Sequence, residues 1–407
     1  MTFVFDAPPG MFSARSGRYA GGAVKEAQAQ KAFRGKLLFL VTEDWYFYSH
    51  RLPPARAAQA AGYEVVVATR VEHRGADIEA EGFKLIPIGL RRRSRNPFRE
   101  MAAIAEIVRI YRQEQPDIVH HVAIKPVLYG SLAAMVVRRP AVVNALAGMG
   151  FLFTSGGRLA ALLRAAVSQV FRVLLNASRN VLILQNPDDQ ALLVSGGLVA
   201  SSRVRLIRGS GVDIQRFHPL PEPDGPPLVM LASRMLWDKG VGEFVAAAGA
   251  LRARGAVARF VLVGDGDADN PASIPEIQLK AWHESGVVEC WGRCDDMPAA
   301  FARSHIVCLP SYREGLPKVL LEAAACARPL VATDAPGCRE IVRHGENGLL
   351  VPLRDAVGLA DAIEKLLNDP ALRLRMGAKG RQMVESEFSE TEVARQTLAV
   401  YREVHAP

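Results

Sequence analysis

The sequence predicts an α/β protein of two doubly wound units in tandem, and three observations predict it. Short apolar runs alternate with longer amphipathic segments from Lys36 to Val351, the signature of strand–helix–strand units over a parallel sheet. The pattern halts and restarts around Gly209-Ser210-Gly211 and the stretch from Pro219 to Pro227, where glycine and proline mark a connection. A chain of 407 residues also exceeds one ordinary hydrophobic core, so it divides.

Residues 1–34 are dominated by Gly, Ala, Ser and Arg and hold no apolar run of signal-peptide type. They read as a poorly ordered extension. The first unit, residues 35–209, opens on Lys36–Thr42 (KLLFLVT), apolar throughout its middle as a strand buried on both faces must be. A helix over Leu52–Ala61 ends at Gly62, and strands follow at Tyr63–Thr69 and Phe83–Ile88. Helices over Pro97–Gln113, Pro126–Val137 and Leu159–Leu175 alternate with strands at Asp117–Val122, Ala141–Leu146 and Asn180–Gln185. The second unit, residues 210–387, has six strand candidates: Leu228–Ser233, Arg259–Val263, Val287–Trp291, Ile306–Pro310, Pro329–Thr333 and Gly348–Val351. The last segment, residues 388–405, is an amphipathic helix with Val393, Leu398, Tyr401 and Val404 apolar, expected to pack back on the first unit. Ligands of open parallel sheets lie at the carboxyl ends of the strands, so the site is expected between the two units.

With 49% apolar and 23% charged residues the chain reads as globular, and no uninterrupted apolar run is long enough to span a bilayer. The five cysteines all lie in the second half. Their odd number, and the absence of a second pair at metal spacing, predict free thiols in a reducing cytoplasm. Charge is one-sided: residues 1–210 hold 28 Lys and Arg against 15 Asp and Glu, the remainder 22 against 27. A basic field confined to one half predicts an anionic partner, such as phospholipid, a lipid diphosphate or nucleic acid.

The chemistry concentrates in Ser311–Glu322 (SYREGLPKVLLE). Glu314 lies in a loop after a buried strand, Gly315 permits a tight turn, Pro317 suits the first turn of a helix, and Glu322 falls about one turn inside it. Carboxylates at a helix mouth, where backbone N–H groups attract anions, suit a ligand with both phosphate and hydroxyl groups. Arg234 and Lys239 follow the strand Leu228–Ser233 and can hold a diphosphate between two cations. Gly264 and Gly266, in Val-Gly-Asp-Gly-Asp after another strand, are an incomplete dinucleotide fingerprint and suit a turn at the pocket edge.

In the first unit His120 and His121 end a strand, and strand alternation lets only one of them face the cleft. Lys125 follows. Glu43, Asp44, His50 and Arg51 come after the first strand, where they contact an acceptor or, for the acidic pair, cap a helix. Arg91, Arg92, Arg93 and Arg95, with Phe98 and Arg99, form the densest basic cluster, suited to an anionic membrane surface at ~1 kcal/mol per charge. The helix Leu159–Leu175 carries Arg164, Ser168 and Arg172 on one stripe. It lies in a bilayer interface or covers the sheet.

Taken together, Glu314-x7-Glu322, Pro329-Leu-Val-Ala-Thr-Asp334, Gly337-x-x-Glu340, Gly345-Glu-Asn-Gly348, Ser233-Arg234 with Lys239-Gly240, and Gly209-Ser-Gly-Val-Asp213 resemble the family-4 retaining glycosyltransferases of GT-B architecture. The resemblance covers about residues 35–405. The first unit, through Thr42 to Arg51 and Val119 to Ser131, looks most like bacterial enzymes that extend undecaprenyl-diphosphate-linked saccharides. The resemblance implies two Rossmann-like domains facing across a cleft and a UDP-type nucleotide sugar as donor substrate. It further implies a lipid-diphosphate-linked saccharide as acceptor and residence on the inner face of the cytoplasmic membrane. No nucleic acid, metal or cofactor is expected. Glu314 would meet the donor sugar and Glu322 the ribose; Arg234 and Lys239 would neutralise the leaving diphosphate, aided by amides near Gly315 and Leu316. His120 or His121 would approach the sugar from the first unit, and His50, Arg51 and Lys125 would serve the acceptor. Two other readings fit the same architecture: a nucleotide-sugar epimerase, which needs no acceptor, and a non-catalytic protein of the membrane surface.

Overall fold

The computed structural model describes residues 34–405, apart from residues 93, 95, 139, 147–167, 178 and 268–269. In its first part β1 (Gly35–Glu43), α1 (Asp44–His50), α2 (Leu52–Ala60), β2 (Tyr63–Arg70), α3 (Gly75–Ala80), β3 (Lys84–Pro87), α4 (Pro97–Glu114), β4 (Ile118–Val122), α5 (Ile124–Val137), β5 (Ala141–Leu146), β6 (Asn180–Leu184), α6 (Pro187–Ser195) and β7 (Val204–Leu206) follow one another. All seven strands are parallel, in the order β3-β2-β1-β4-β5-β6-β7. The second part runs β8 (Leu228–Ala232), α7 (Val241–Ala253), β9 (Arg259–Val263), α8 (Glu276–Glu284), β10 (Glu289–Gly292), α9 (Met297–Ala302), β11 (Ile306–Leu309), α10 (Lys318–Ala325), β12 (Leu330–Thr333), α11 (Cys338–Ile341), β13 (Gly348–Val351), α12 (Ala356–Asn368), α13 (Pro370–Met383) and α14 (Glu390–His405). Its six strands, also parallel, are ordered β10-β9-β8-β11-β12-β13.

Strands β4, β5, β6, β8, β11 and β12 are buried at every residue, which is why their sequences are apolar runs rather than alternating ones. Each sheet is covered on both faces. Leu37, Phe39 and Val41 of β1 pack toward α2 and α14, whereas Leu38 and Leu40 pack toward α4 and α5. Helix α14 belongs to the first core although it ends the chain: Val393, Val400, Tyr401 and Val404 are buried there.

The winding places the site. In the first sheet the chain lays down β1, then β2 and β3 to one side, and returns to β4 on the other; the second sheet repeats this with β8 and β11. A crevice opens beyond the carboxyl ends of two strands where the winding reverses. The loops leaving β8 and β11 therefore meet: Tyr312 N–H donates to the Asp238 carbonyl at 3.0 Å. The units are joined twice and side by side, since Val212 N–H donates to Phe388 O and Glu390 N–H to Val212 O, both at 3.0 Å.

Two segments add to the expected elements. Residues 44–50 form a helix of their own between β1 and α2, and the three-residue β7 extends the first sheet. The helix expected over 159–175 lies mostly outside the described residues; its end, residues 168–175, is helical. Among the described residues all five cysteines are free, and no helix is long and apolar enough to cross a membrane.

Candidate functional site

The loop after β11 carries Glu314, and the loop after β8 carries Lys239. Their side chains meet, Lys239 Nζ to Glu314 Oε1 at 2.5 Å, and both are mostly buried. Gly240 follows Lys239 at φ +72°, and a Cβ there would overlap the Pro310 carbonyl. The β8 loop thus lies against the end of β11, and only glycine permits it. Arg234 is anchored from a third strand end. Its Nη1 donates to Asp267 Oδ2 at 2.7 Å, and Gly264, at φ +130°, packs its backbone where a Cβ would overlap Ser233 O. The Gly264–Asp267 turn is the wall behind Arg234.

Glu314 is held from behind by Gly337. Glu314 N–H donates to Pro336 O at 3.1 Å. Gly337 has φ +81°, and a Cβ built on it would stand 2.7 Å from the carbonyl oxygens of Glu314 and Gly315. Gly315, where the sequence permits a tight turn, is not among the glycines of positive φ, whereas Gly337 is. From the front the loop is fastened to the first unit. Asn186 Nδ2, at the cap of α6, donates to Gly315 O at 2.8 Å, Arg313 pairs with the buried Asp189, and Leu316 packs against Gly209. Pro317 caps α10 rather than opening it.

Glu322 sits one turn into α10, partly buried. Burial pushes its carboxyl up to about 7 from 4.5; the charges of Lys318 and Arg216 oppose the rise and Glu390 adds to it. A carboxyl whose folded-state pKa is raised holds its proton more tightly when folded. That contribution is complete below about 4.5 and is lost as pH climbs through 7. Glu322→Gln therefore leaves stability unchanged at pH 4 and raises it at pH 8 by up to about 3 kcal/mol, measurable as urea midpoints of the ligand-free protein at the two pH values.

The first unit corrects several expectations. His120 and His121 do point to opposite faces, but both faces are closed and both side chains are fully buried. His120 stacks on Phe39 at 5.0 Å and bonds Tyr401 Oη through Nδ1 at 2.5 Å. His121 bonds Tyr111 Oη and Asn144 Oδ1, each at 2.8 Å. Burial holds His121 down at about 4 and His120 well below its ordinary value, so both are neutral core residues whose hydrogen bonds stay inside the first unit. Lys125 is likewise engaged: its Nζ donates to the carbonyls of Arg91 (2.9 Å) and Ser94 (2.7 Å) and to Glu100 (2.9 Å), which tethers the basic loop to α4 rather than reaching an acceptor. Asp44 is buried, which alone would raise its pKa. Four backbone N–H groups, of Arg74, Glu72, His73 and Trp45, outweigh that and hold the carboxyl below its ordinary value. It fastens the loop after β2. Glu43 accepts from Trp45 Nε1.

His50 stacks on Tyr46 at 4.2 Å and bonds Ser49; burial, then Lys318 and Arg51, push it down to about 3. Lys318 reaches from α10 to the Ser49 carbonyl at 2.8 Å. Arg51 is 4% exposed. Arg91 and Arg92 are exposed, and Arg93 and Arg95 lie outside the described residues. Beside them Phe98 and Met101, at the start of α4, are 81% and 69% exposed.

Sequence reasoning passed over Asn186, Asp189, Arg313 and Lys318, which bind the Glu314 loop and α10 to the first unit, and Asp267, which holds Arg234. The Asn-Pro-Asp-Asp run at 186–189 carried a signal, being a helix cap with carboxylates in its first turn. Asp265 and Asp267 stand two apart, but Asp267 is engaged with Arg234, and among the described residues no three His, Cys, Asp or Glu side chains are grouped as metal ligands.

Comparison with known proteins agrees with this geometry. The family model described as Glycosyl transferase 4-like matches residues 36–186, and that described as Glycosyl transferases group 1 matches residues 226–369. The chain is 26% identical over 370 residues to the N,N'-diacetylbacillosaminyl-diphospho-undecaprenol alpha-1,3-N-acetylgalactosaminyltransferase of Campylobacter jejuni, covering 88% of this chain and 96% of that one. It is 28% identical over 381 residues to the putative glycosyltransferase EpsD of Bacillus subtilis, covering 90% and 96%. The structure of Anabaena Alr3699/HepE in complex with UDP has a TM-score of 0.72 at 19% identity, covering 90% of this chain and 100% of that one, and shares its fold. With family models matched over both sheets, and an Arg–Lys pair after β8 and Glu314-x7-Glu322 after β11, the chain belongs to the group 1, type 4-like glycosyltransferases of GT-B fold.

Proposed function

We propose that this glycosyltransferase moves a sugar, with retention of configuration, from a UDP-sugar to a saccharide carried on a lipid diphosphate at the inner face of the cytoplasmic membrane. The observation that carries the proposal is the meeting of Lys239 and Glu314 at the mouth of α10, with Arg234 anchored alongside. As the bond to the anomeric carbon breaks, negative charge grows on the diphosphate. Lys239 and Arg234 are fixed cations on the side where that charge develops, and each contributes about 3 kcal/mol to the transition state by the measure of a single oxyanion donor. Lys239 leaves its pairing with Glu314 when the diphosphate enters, which frees Glu314 to accept hydrogen bonds from sugar hydroxyls. Glu322, deeper in α10, takes the ribose hydroxyls. On the same face a leaving β-phosphate oxygen accepts the proton of the acceptor hydroxyl, so the new bond keeps the old configuration.

The relatives support the finer reading by their names: one acts on a diphospho-undecaprenol saccharide, and a structural neighbour holds UDP. The exposed Arg91, Arg92 and Arg99 beside exposed Phe98 and Met101 suit an anionic lipid surface. The chain thus fits the assembly of a lipid-linked polysaccharide. The test is transfer from a panel of radiolabelled UDP-sugars into undecaprenyl-diphosphate-linked saccharide, with the anomeric configuration of the product read by NMR. Lipid-bound product with the donor's configuration is expected. An inverted product contradicts the mechanism, and transfer to water-soluble acceptors alone contradicts the lipid.

A further inference from the structure

The Glu314 loop belongs to the second unit, yet the first unit grips it on both sides of the carboxylate. Asn186 caps α6 and Asp189 lies in its first turn, both fully buried. Asn186 Oδ1 accepts the Asp189 N–H at 2.8 Å, which satisfies one of the free amides of the helix start. With that oxygen committed, the nitrogen end of the amide faces the other way and donates. Nδ2 reaches Asp189 Oδ2 at 3.1 Å and, across to the second unit, the Gly315 carbonyl at 2.8 Å. The capping bond therefore aims the amide at the residue that follows Glu314.

Asp189 holds the residue that precedes it. Its carboxylate, favoured by the helix start on which it sits, pairs with Arg313. The pair is largely out of water: 1% of the Asp189 side chain and 26% of the Arg313 side chain are exposed, and Arg313 Nε is enclosed without a partner. Among the described residues Asp189 is the one carboxylate paired with Arg313. Breaking such a pair from one side strands the other charge in a poorly solvated place, so the contact is stiff. The cations of the site are held differently. Arg234 bonds Asp267, and the turn after Lys239 packs through Gly240 on Pro310, all within the second unit.

We propose that Asp189, with Asn186, is a positioning residue for recognition of the donor sugar. The two side chains fix the backbone at Arg313 and Gly315, and so set where the Glu314 carboxylate stands between them. They act through the loop rather than on the substrate. The cations that meet the diphosphate need the second unit alone, whereas the carboxylate that meets the sugar needs both units. Sugar recognition is thereby tied to the seating of one unit on the other, and diphosphate binding is not. The inference rests on the proposed contact of Glu314 with the donor sugar.

The test compares full-length wild type, Asp189→Asn, Asp189→Glu, Asp188→Asn and Glu314→Gln. Asp188 is the matched control: one position away in the same turn, it pairs across the units with Arg339 at 3.2 Å, and Arg339 also holds Asp334. Calorimetry with UDP, and with whichever UDP-sugar of a panel wild type binds most tightly, gives the affinity that the sugar adds. Hydrogen exchange over residues 312–317 of the ligand-free protein reads how firmly the loop is held. We expect Asp189→Asn to bind UDP as wild type does and to lose about 10-fold of the affinity added by the sugar. Its kcat should fall about 100-fold, the cost of a misplacement near 1 Å, and its loop amides should exchange faster. Asp189→Glu, which keeps the charge on a longer arm, should regain part of kcat, and Asp188→Asn should match wild type throughout. Equal losses of UDP and UDP-sugar affinity in Asp189→Asn, or a lower melting temperature with kcat and the sugar's increment kept, would make Asp189 a packing residue and refute the proposal. Equal effects of Asp188→Asn and Asp189→Asn would refute it too, since charge between the units would then act without the loop. If Glu314→Gln leaves the sugar's increment intact, the sugar contact of Glu314 falls instead; faster loop exchange in Asp189→Asn then still upholds the positioning, and unaltered exchange refutes it.

Discussion

Lys239→Ala is expected to lower kcat by about 10²- to 10³-fold, the loss seen when one donor to a developing oxyanion is removed. The expectation rests on position: Lys239 pairs with Glu314 in the loop that leads into α10, and that partner arrives from the other side of the winding reversal. Removing the ammonium does two things. It withdraws charge from the leaving diphosphate, and it leaves Glu314 mostly buried with no counter-ion, which costs stability as well. Glu314→Gln in the same background separates the two effects. It relieves the orphaned carboxylate, so the double variant should regain melting temperature without regaining kcat. Arg234→Ala should act in the same direction with a smaller cost to stability, since Arg234 is 46% exposed where it meets Asp267. Steady-state rates at saturating donor, with thermal melts of each variant, check the set. Undiminished transfer by an Arg234→Ala, Glu314→Ala double variant would refute the site.

Gly337→Ala is expected to destabilise the protein by about 2–4 kcal/mol and to reduce kcat with it. Two costs combine. At φ +81° an L side chain is strained whatever space surrounds it, and the added methyl would press on the carbonyls of Glu314 and Gly315 at 2.7 Å. The loop carrying Glu314 must then move, and it cannot move freely because Asn186 and Asp189 hold it from the first unit. Gly345→Ala is the matched control. Its φ is also +81°, but nothing lies within 4 Å of the added methyl, so only the backbone strain of about 1 kcal/mol remains. Urea midpoints and kcat of the two variants check this. Equal losses in both would mean that contact with the Glu314 loop is irrelevant.

Most of the fold was legible because a doubly wound sheet writes itself into sequence. Strands such as Leu228–Ala232 and Ile118–Val122 are buried on both faces and so read as unbroken apolar runs. What escaped was local. Helix α1 begins directly at the end of β1 with no glycine, proline or side-chain cap, Glu43 making no capping bond, and β7 is three residues long. At the site, residue types and strand ends placed Lys239 and Glu314 together, although they are 75 positions apart, while Arg234 is held by Asp267. The first unit was less legible. Alternation gave the opposed directions of His120 and His121. It could not give what closes each face: Tyr401, 281 positions away in the last helix, and Tyr111 in α4. Lys125 failed for a like reason, since a basic residue at a strand end looks free until the partners from a distant helix, here Glu100, are known.

If the cations after β8 hold the donor diphosphate while Glu314 reads the sugar, as proposed, the two roles separate in binding. Calorimetric titration of UDP and of a UDP-sugar into wild type, an Arg234→Ala, Lys239→Ala double variant, and Glu314→Gln tests it most directly. The double cation variant is expected to lose affinity for both ligands by about 100-fold or more, whereas Glu314→Gln keeps its affinity for UDP and loses only the increment contributed by the sugar. UDP binding undiminished in the double cation variant would contradict it.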